Sequence, residues 1–382
     1  MEYVTIGESC SVVSGGTPSR SKGEFWLDGT IPWIKIGNIK TKYVNEYDEL
    51  ITEEGLNNSS AKLLKKGTIL YTIFATLGEV GILDIDACTN QAIAGITIND
   101  PRITPDFLYY YLKSKKEYVN SIGRGVAQNN INLTTLRKFE IPLIDRDKQS
   151  IIVKTLEKVE KIIDSQKKEL DRYDELVKAR FVEMFGDPQI NPFEWDVVNI
   201  SEVVGGKVSN GYFAKRDDYV DDGNVSVLGV ANVVNRMYSN VDGLPRTNAE
   251  AKDIEKFEVK YGDMLFCRSS LVAEGIGKAS IIPENVHENV VFECHVIRLP
   301  LDLSKCVPEF MQTLSTMDFF RNQVISQSKT ATMTTIGQDG ILKTNIILPP
   351  LDKQRDFYAF VKHIDKSKLT LCRYNVMEYK CE

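Results

Sequence analysis

The sequence predicts an α+β protein made of two duplicated modules separated by two long antiparallel coiled-coil helices. Three observations lead to this fold class. Short motifs recur in the same order in both halves of the chain, strand-like segments precede a helical segment in each half, and two stretches show the alternating three-and-four spacing of a coiled-coil seam. The predicted modules span residues 1–145 and 188–350, and the predicted helices span 146–187 and 351–382.

Six pairs of motifs carry the repeat. They are VTIGE at 4–8 and VNISE at 198–202, SGG at 14–16 and SNG at 209–211, WIKIGNI at 33–39 and VLGVANV at 227–233, KGTILY at 66–71 and YGDMLF at 261–266, PDFL at 105–108 and PEFM at 308–311, and DKQ at 147–149 and 352–354. The offset grows from 194 at the first pair to 205 at the last. Insertions in the loops of the second copy explain this growth, because loops tolerate added residues.

Each module has its strands early and an amphipathic helix late. In the first module the predicted strands are residues 4–13, 32–39, 67–73 and 92–98, which are apolar runs bounded by glycine-containing turns. The predicted short helices are residues 105–119 in the first module and 308–324 in the second. This order of elements is typical of an α+β fold.

A long helix follows each module. Asp147 is the predicted N-cap of the central helix, and Gly186 with Pro188 ends it; Asp352 is the predicted cap of the shorter distal helix. The predicted apolar seams consist of Ile152, Leu156, Val159, Ile163, Leu170, Tyr173 and Val177 in the central helix and Phe357, Val361, Ile364 and Leu371 in the distal helix. Because such a seam needs a partner, we expect the two helices to pack antiparallel. The alternative, in which each helix packs only on its own module, stays open.

Composition excludes several classes of protein. The cysteines are odd in number and lack a CxxC pair, which favours reduced thiols in a cytoplasmic protein. No apolar stretch is long enough to span a membrane, and no secretory signal is visible. Neither a metal-ligand spacing, a phosphate loop nor a catalytic constellation is recognisable, so we expect a binding protein without a catalytic or metal site. The net charge of −6 neither indicates nor excludes nucleic acid.

Taken in order, the motifs resemble those of a known family. GGTPS at 15–19, IPWI at 31–34, GTILY at 67–71, AQNNIN at 127–132 and IPL at 141–143 precede the central helix, and GDMLF at 262–266 and LPPLDKQ at 348–354 precede the distal one. This set resembles the specificity subunit of type I restriction-modification systems over nearly the whole chain.

The resemblance implies a function in DNA recognition. Each module would be a target recognition domain that reads one half of a bipartite, asymmetric site in double-stranded DNA. The helices would act as spacers that set the gap between half-sites and dock two modification subunits. Restriction subunits with translocase and nuclease activity would join them. The chain would be non-catalytic and without a cofactor, with S-adenosylmethionine, ATP and Mg expected in the partner subunits.

Polar and basic residues near the repeated motifs are the candidate DNA contacts, because Arg, Lys, Asn and Gln read base edges, while Lys, Arg, Ser and Thr bind phosphates. In the first module they are Thr17, Ser19, Arg20, Lys22, Lys35, Asn38, Gln128, Asn129, Asn130 and Asn132. In the second they are Lys207, Asn210, Tyr212, Lys215, Arg216, Asn232, Asn235, Arg236, Arg268, Ser269, Lys329, Thr330, Thr332 and Thr334. For each of them, turn chemistry or a solvated loop is the alternative explanation, and Trp33 is expected in the core.

Two other functions remain open. A duplicated adaptor could bind proteins through its helices without reading DNA, and a diverged DNA methyltransferase could hold a cofactor site that the motifs do not reveal. The distal helix also departs from the resemblance, since it is shorter than the central one, lacks a counterpart of residues 179–185 and has Lys368 in its seam.

Overall fold

A computed structural model of the protein describes residues 2–123, 130–330 and 333–378, together with the side chains of these residues except Arg216 and residues 369–378. Five predicted positions therefore lie outside the description: Gln128, Asn129 and Thr332 entirely, and the side chains of Arg216 and Leu371. The chain divides into two compact units, Met1–Asp164 and Ser165–Glu382. The predicted module boundaries themselves stay predictions.

In its described residues, the first unit has ten short strands and six α-helices, the last of which runs into the second unit. The strands are β1 Glu2–Thr5, β2 Cys10–Ser14, β3 Ile31–Ile34, β4 Tyr43–Val44, β5 Glu49–Ile51, β6 Ile69–Thr72, β7 Val80–Leu83, β8 Cys88–Thr89, β9 Ile93–Ile98 and β10 Glu140–Leu143. The helices are α1 Ile6–Ser9, α2 Glu53–Asn57, α3 Pro105–Ser114, α4 Lys116–Gly123, α5 Leu133–Arg137 and α6 Arg146–Phe185.

These strands form three sheets. A five-stranded sheet has the order β2-β9-β6-β7-β4, a three-stranded sheet has the order β5-β3-β8, and β1 pairs with β10. The main sheet packs against α3, with Ile69, Tyr71, Ile96, Phe107 and Leu108 in the core. The predicted strand of residues 4–13 is wrong in one respect: α1 interrupts it, because Thr5 and Glu8 form a capping box that starts a helical turn.

The second unit repeats this arrangement after the end of α6. Its strands are β11 Val197–Asn199, β12 Ser209–Asn210, β13 Val225–Leu228, β14 Arg246–Thr247, β15 Asp263–Cys267, β16 Ser269–Ser270, β17 Ala279–Ile281, β18 Val290–Phe292, β19 Val296–Pro300, β20 Lys329–Thr330, β21 Thr334–Thr335 and β22 Asn345–Ile347. Its helices are α7 Val230–Val233, α8 Ala251–Phe257, α9 Pro308–Ser315, α10 Asp318–Ser326, α11 Gln338–Leu342 and α12 Leu351–Glu378.

Sheet topology confirms the duplication. The order β12-β19-β15-β17 repeats β2-β9-β6-β7, the order β14-β13-β18 repeats β5-β3-β8, and the β11–β22 pair repeats β1–β10. Strand register refines the equivalence by one residue. The Gly15 N–H donates to the Ile93 carbonyl, and the Gly211 N–H donates to the Val296 carbonyl. Because Ile93 and Val296 occupy equivalent positions at the start of β9 and β19, Gly211 is the counterpart of Gly15 and not of Gly16.

Both predicted short helices are divided in two. Residues 105–119 form α3 and the start of α4, with a break at Lys115, and residues 308–324 form α9 and most of α10, with a break at Thr316 and Met317. In both modules the first helix of the pair begins with a proline at its first turn, where the missing N–H costs nothing.

The long helices begin one residue before the predicted caps. Asp145, not Asp147, caps α6, because its carboxylate accepts the Lys148 N–H at 2.9 Å. Helix α12 begins at Leu351, so Asp352 lies in its first turn, where a negative charge favours the helix dipole. The predicted end of α6 is confirmed: the helix stops at Phe185, and Gly186 takes a φ of 75°.

Within the second unit, the last turns of α6 and the first half of α12 run antiparallel. Phe357 packs on Phe181 and Phe185 with ring centroids 5.6 and 5.7 Å apart, and one end of the contact is closed by the ion pair between Lys368 and Asp174 at 2.5 Å. The polar seam position at Lys368 therefore has a partner. In the part of the chain that the structure describes, no helix is both long and apolar enough to cross a membrane.

Candidate nucleic-acid interface

Two candidates of the first module, Arg20 and Lys35, meet around one carboxylate, that of Glu49. The Arg20 guanidinium lies 3.6 Å from the centroid of the Trp26 ring and forms a 2.5 Å ion pair with Glu49, to which Lys35 also binds at 2.7 Å. The hydrogen bonds from Arg20 and Lys35 hold the pKa of Glu49 below its usual value. Arg20 is therefore held in a fixed orientation with its charge partly neutralised, so a phosphate would compete with Glu49 for it.

Asn38 is buried and bonded within the protein. Its side-chain oxygen accepts the Lys35 N–H at 2.8 Å, and its amide donates to Asp48 at 3.1 Å. In the second module, Asn232 accepts the Gly229 N–H at 3.1 Å in the same way. The asparagine that recurs in both copies thus closes the turn after β3 and β13, which favours the turn-chemistry explanation for both residues.

The other described candidates of the first module are exposed, except for Thr17, which is half-buried. Ser19 bonds to Ser21, Lys22 lies over the Phe25 ring, and Thr17 donates to the exposed Gln91 side chain within hydrogen-bond distance. Asn130 forms a β-bridge with Phe74 and has an exposed side chain. Asn132 caps α5 by accepting the Thr135 N–H at 2.8 Å.

In the second module, one group of candidates forms a small ribbon of three strands in the order β16-β21-β20. Ser269 lies opposite Thr335, Lys329 is exposed, and Thr330 bonds to the buried Thr334 hydroxyl at 3.1 Å. Arg268 enters the ribbon with its backbone and donates from its side chain to the Cys294 carbonyl at 3.2 Å. The structure therefore brings together five predicted candidates from two segments that are far apart in sequence, residues 268–269 and 329–334.

A second group lies at the end of α7. Asn235 takes a φ of 59° and accepts from the Lys278 ammonium at 2.8 Å, and Arg236 is exposed, with its guanidinium near the Ala231 carbonyl. Lys278 joins this group although its position in the sequence does not single it out. Its counterpart in the first module is Glu79, which pairs with Lys116, so the charge at this position differs between the modules.

The remaining candidates of the second module stand apart from these groups. Lys207 and Lys215 are exposed, Asn210 is half-buried in β12, and the Tyr212 hydroxyl donates to the Asn248 carbonyl at 3.3 Å. The Arg216 side chain lies outside the description. Nothing in the described structure joins these residues into one surface.

Sequence reasoning missed the apolar side chains that stand beside the polar candidates. Phe74 follows β6 and is 43% exposed, and Leu271 and Val272 follow the ribbon residue Ser270 with 82% and 58% exposure. The available signal was the longer connection in the second copy: seven residues separate β6 from β7, but eleven separate β15 from β17.

The predicted seam divides into an exposed and a buried part. Ile152, Leu156 and Ile163 are exposed, whereas Val159, Leu170 and Tyr173 are half-buried. Val177, Phe357, Val361 and Ile364 are buried in the core of the second unit. In the first unit, Ile152 and Leu156 line an apolar groove that continues over Tyr110, Tyr111, Pro142 and Ile144.

Comparison with known proteins agrees with the duplicated architecture. The family model described as "Type I restriction modification DNA specificity domain" matches residues 1–172 and 192–375, which is one match to each module and its helix. A solved structure titled as an account of complex assembly and conformational transition of the type I R-M system shares the fold, with a TM-score of 0.50 at 16% identity over 99% of this chain and 93% of that one.

Two relatives come from Methanocaldococcus jannaschii. The chain is 30% identical over 216 residues to the specificity subunit of the type I restriction enzyme MjaIX, a match that covers 55% of this chain and only 48% of that protein. It is 21% identical over 379 residues to the MjaVIII specificity subunit, covering 95% of this chain and 86% of that protein. With the family model matching nearly all of both halves, this chain belongs to the type I restriction-modification DNA specificity family.

Proposed function

We propose that this chain is the DNA-recognition subunit of a type I restriction-modification complex in the cytoplasm. Each module reads one half of a bipartite, asymmetric site in double-stranded DNA, and the two long helices set the distance between the halves. The chain itself performs no chemistry and carries no cofactor. Two modification subunits that use S-adenosylmethionine, and restriction subunits that use ATP and Mg, supply the catalysis.

The observation that carries this proposal is that the two modules share one fold but carry different side chains at equivalent surface positions. Strand order and register repeat, yet equivalent surface positions differ in chemistry. Lys35 has Gly229 as its counterpart, Phe74 has Ser269, and Asn130 has Thr335. Because base reading depends on the hydrogen-bonding pattern of side chains, two such modules suit two different half-site sequences and therefore an asymmetric site.

The first half of α6 supports docking of a modification subunit. Ile151 and Ile162 are exposed beside the seam residues Ile152, Leu156 and Ile163. Exposed apolar residues that recur along a helix mark an interaction surface. In the second unit the counterparts of Ile152 and Leu156 are Phe357 and Val361, which Phe181 and Phe185 help to bury. We infer that a partner helix covers the groove of the first unit in the assembled complex.

Sequencing that detects methylated adenine, on DNA from cells with and without this gene, tests the proposal. We expect one bipartite methyl-adenine motif to disappear on deletion and to return when the gene is supplied on a plasmid. Exchanging residues 195–345 for those of a related chain serves as the matched variant, and it should change only one half of the motif. An unchanged methylome, with the neighbouring modification genes still expressed, would exclude DNA recognition and favour an adaptor function.

A further inference from the structure

An exposed apolar tip, formed by Leu271 and Val272, lies beside the polar ribbon β16-β21-β20 of the second module. Among the large apolar side chains that the structure describes, Leu271 is the most exposed, at 82%. The next residue along the chain, Val272, is 58% exposed. The loop is held in place from both sides: the Val272 N–H donates to the Ser270 hydroxyl at 3.2 Å, and the Gly275 N–H donates to the Val272 carbonyl at 3.1 Å. The Arg321 guanidinium also binds the Glu274 carbonyl at 3.0 Å.

An exposed leucine by itself has no meaning, because folded proteins expose many apolar atoms. Three facts distinguish this one. The tip lies in a connection that is four residues longer than its counterpart in the first module, it directly follows ribbon strand β16, and the ribbon carries Ser269, Thr335 and Lys329. The first module places the exposed Phe74 at the position of Ser269, beside Asn130. Both modules therefore set an apolar side chain among polar candidates.

Polar groups alone leave one base feature unread. In the major groove an A·T pair differs from the other pairs through its donor and acceptor pattern and through the thymine 5-methyl group, which only an apolar side chain recognises. A β-ribbon fits the major groove. An apolar tip that extends from such a ribbon, with hydroxyl and ammonium groups behind it, has the chemistry for that contact.

We propose that Leu271 reads the 5-methyl group of a thymine in the half-site of the second module. This inference rests on the proposed function, since it assigns one base feature to one side chain of the recognition surface. Val272 shields the contact from water, and Lys329 and the ribbon hydroxyl groups bind the polar groups around it.

Replacement of thymidine by deoxyuridine tests the contact, because the two nucleosides differ only in the 5-methyl group of the base. The complex of this chain with its modification subunits is bound to duplexes that carry its motif, and each thymine of the second half-site is replaced in turn. We expect one replacement to weaken binding about fourfold, the effect of losing one buried methyl group. In the Leu271→Ala variant the parent and the replaced duplex should bind equally, and both should bind about fourfold more weakly than the wild type binds the parent.

Leu303→Ala is the matched control. Leu303 is also exposed, but it lies against Gly262 at the other end of β15, so this variant should keep the wild-type sensitivity to deoxyuridine. The inference is overturned if the wild type ignores every replacement, or if Leu271→Ala keeps the sensitivity. It is also overturned if 2-aminopurine in the half-site becomes more fluorescent only when Leu271 is present, because that result indicates that the side chain is inserted between bases. Loss of the modification subunits from the Leu271→Ala complex would overturn it as well, since Leu271 would then act in assembly. Failure of the proposed function gives a different result, namely no sequence-specific binding at all.

Discussion

Gly15 and Gly211 occupy the same backbone position in the two modules, and both lie too close to a neighbouring strand for a side chain. A Cβ at Gly15 would lie 2.2 Å from the Thr89 hydroxyl and 2.3 Å from the Asn90 carbonyl. A Cβ at Gly211 would lie 2.2 and 2.3 Å from the carbonyls of Phe292 and Glu293. The requirement comes from close packing of the backbone and not from a left-handed φ.

We therefore expect Gly15→Ala and Gly211→Ala each to lower the free energy of unfolding by about 1–3 kcal/mol, the usual cost of overpacking. Calorimetric unfolding of the purified chain measures the effect. Gly23→Ala and Gly337→Ala are the controls, because a Cβ there has no neighbour within 4 Å. Equal stability of Gly15→Ala and Gly23→Ala would contradict the close approach.

At the residue scale, the sequence located the repeated residues more accurately than it predicted what their side chains do. The repeated motif around Asn38 and Asn232 was found correctly, but a spacing that recurs in both halves of the chain does not distinguish a turn-closing amide from a base-reading one. Only hydrogen-bond geometry makes the distinction. The pairing of Gly15 with Gly211 was missed because SGG and SNG share two residues when they are aligned directly, and only the strand register shows that the structural alignment is shifted by one residue.

At the scale of elements, each module contains a tyrosine–carboxylate pair whose acid lies on its first short helix, α3 or α9. In the first, the Tyr43 hydroxyl donates to Asp106 at 2.9 Å, and Lys42 binds both Asp106 at 2.6 Å and Glu157 of α6 at 2.7 Å. In the second, the Tyr238 hydroxyl donates to Glu309 at 3.1 Å, but Met237 replaces Lys42. Lys42 and Met237 occupy equivalent positions, because their backbone carbonyls accept the N–H groups of Ile82 and Ile281. Ile82 and Ile281 in turn pair at the same place in the two sheets.

This replacement changes the titration of the buried acid. Burial acts to raise the pKa of Asp106, but the hydrogen bonds from Lys42 and Tyr43 outweigh it and hold that pKa below its usual value. In the second module no ammonium opposes burial, and the pKa of Glu309 rises to about 7, while burial also raises the pKa of Asp365 on α12. One Glu309 oxygen is buried without a partner in the described structure.

We expect the second unit to become less stable as the pH rises from about 5 to about 8. A pKa that is higher in the folded than in the unfolded state stabilises the fold at low pH, and that contribution is lost as the pH rises through the folded value, near 7 for Glu309. Met237→Lys should reverse the trend by supplying the ammonium group, so that its melting temperature exceeds that of the wild type at pH 8 but not at pH 5. Met237→Leu, which keeps the site apolar, should retain the wild-type trend. Parallel pH profiles for the lysine variant and the wild type would contradict this account.

Elements were predicted best where periodicity runs over many residues. The a/d pattern located α6 and α12 to within one residue of their starts, whereas the breaks at Lys115 and at Thr316–Met317 went unnoticed because neither contains glycine or proline. The ribbon β16-β21-β20 was also beyond sequence reasoning, since its two-residue strands have no periodicity and β16 pairs with β21 across more than sixty positions.

For the whole molecule, the proposed function makes helix length a determinant of the DNA site. Helix α6 has 40 residues and so extends about 60 Å, while the 28 residues of α12 extend about 42 Å. Adjacent major grooves on one face of B-DNA are about 34–36 Å apart. Helices of this length suit two half-sites about one helical turn apart, and a change in helix length should then change the gap and leave the half-sites as they are.

Deletion of residues 161–167 tests this expectation. One heptad removes about 10 Å of helix and nearly restores the phase of the seam, so the gap between half-sites should shorten by up to about three base pairs at 3.4 Å each. Detection of methylated adenine in cells that carry the variant reads the new motif directly, and co-purification of the modification subunits establishes that the complex still forms. A replacement of Lys161, Asp164, Ser165 and Lys167 by alanine and glutamate, with Ile162 and Ile163 kept, preserves the length and should leave the motif unchanged. An assembled complex that methylates the original motif after the deletion would show that the gap is set elsewhere, because α6 would have shortened without any effect on the DNA that is read.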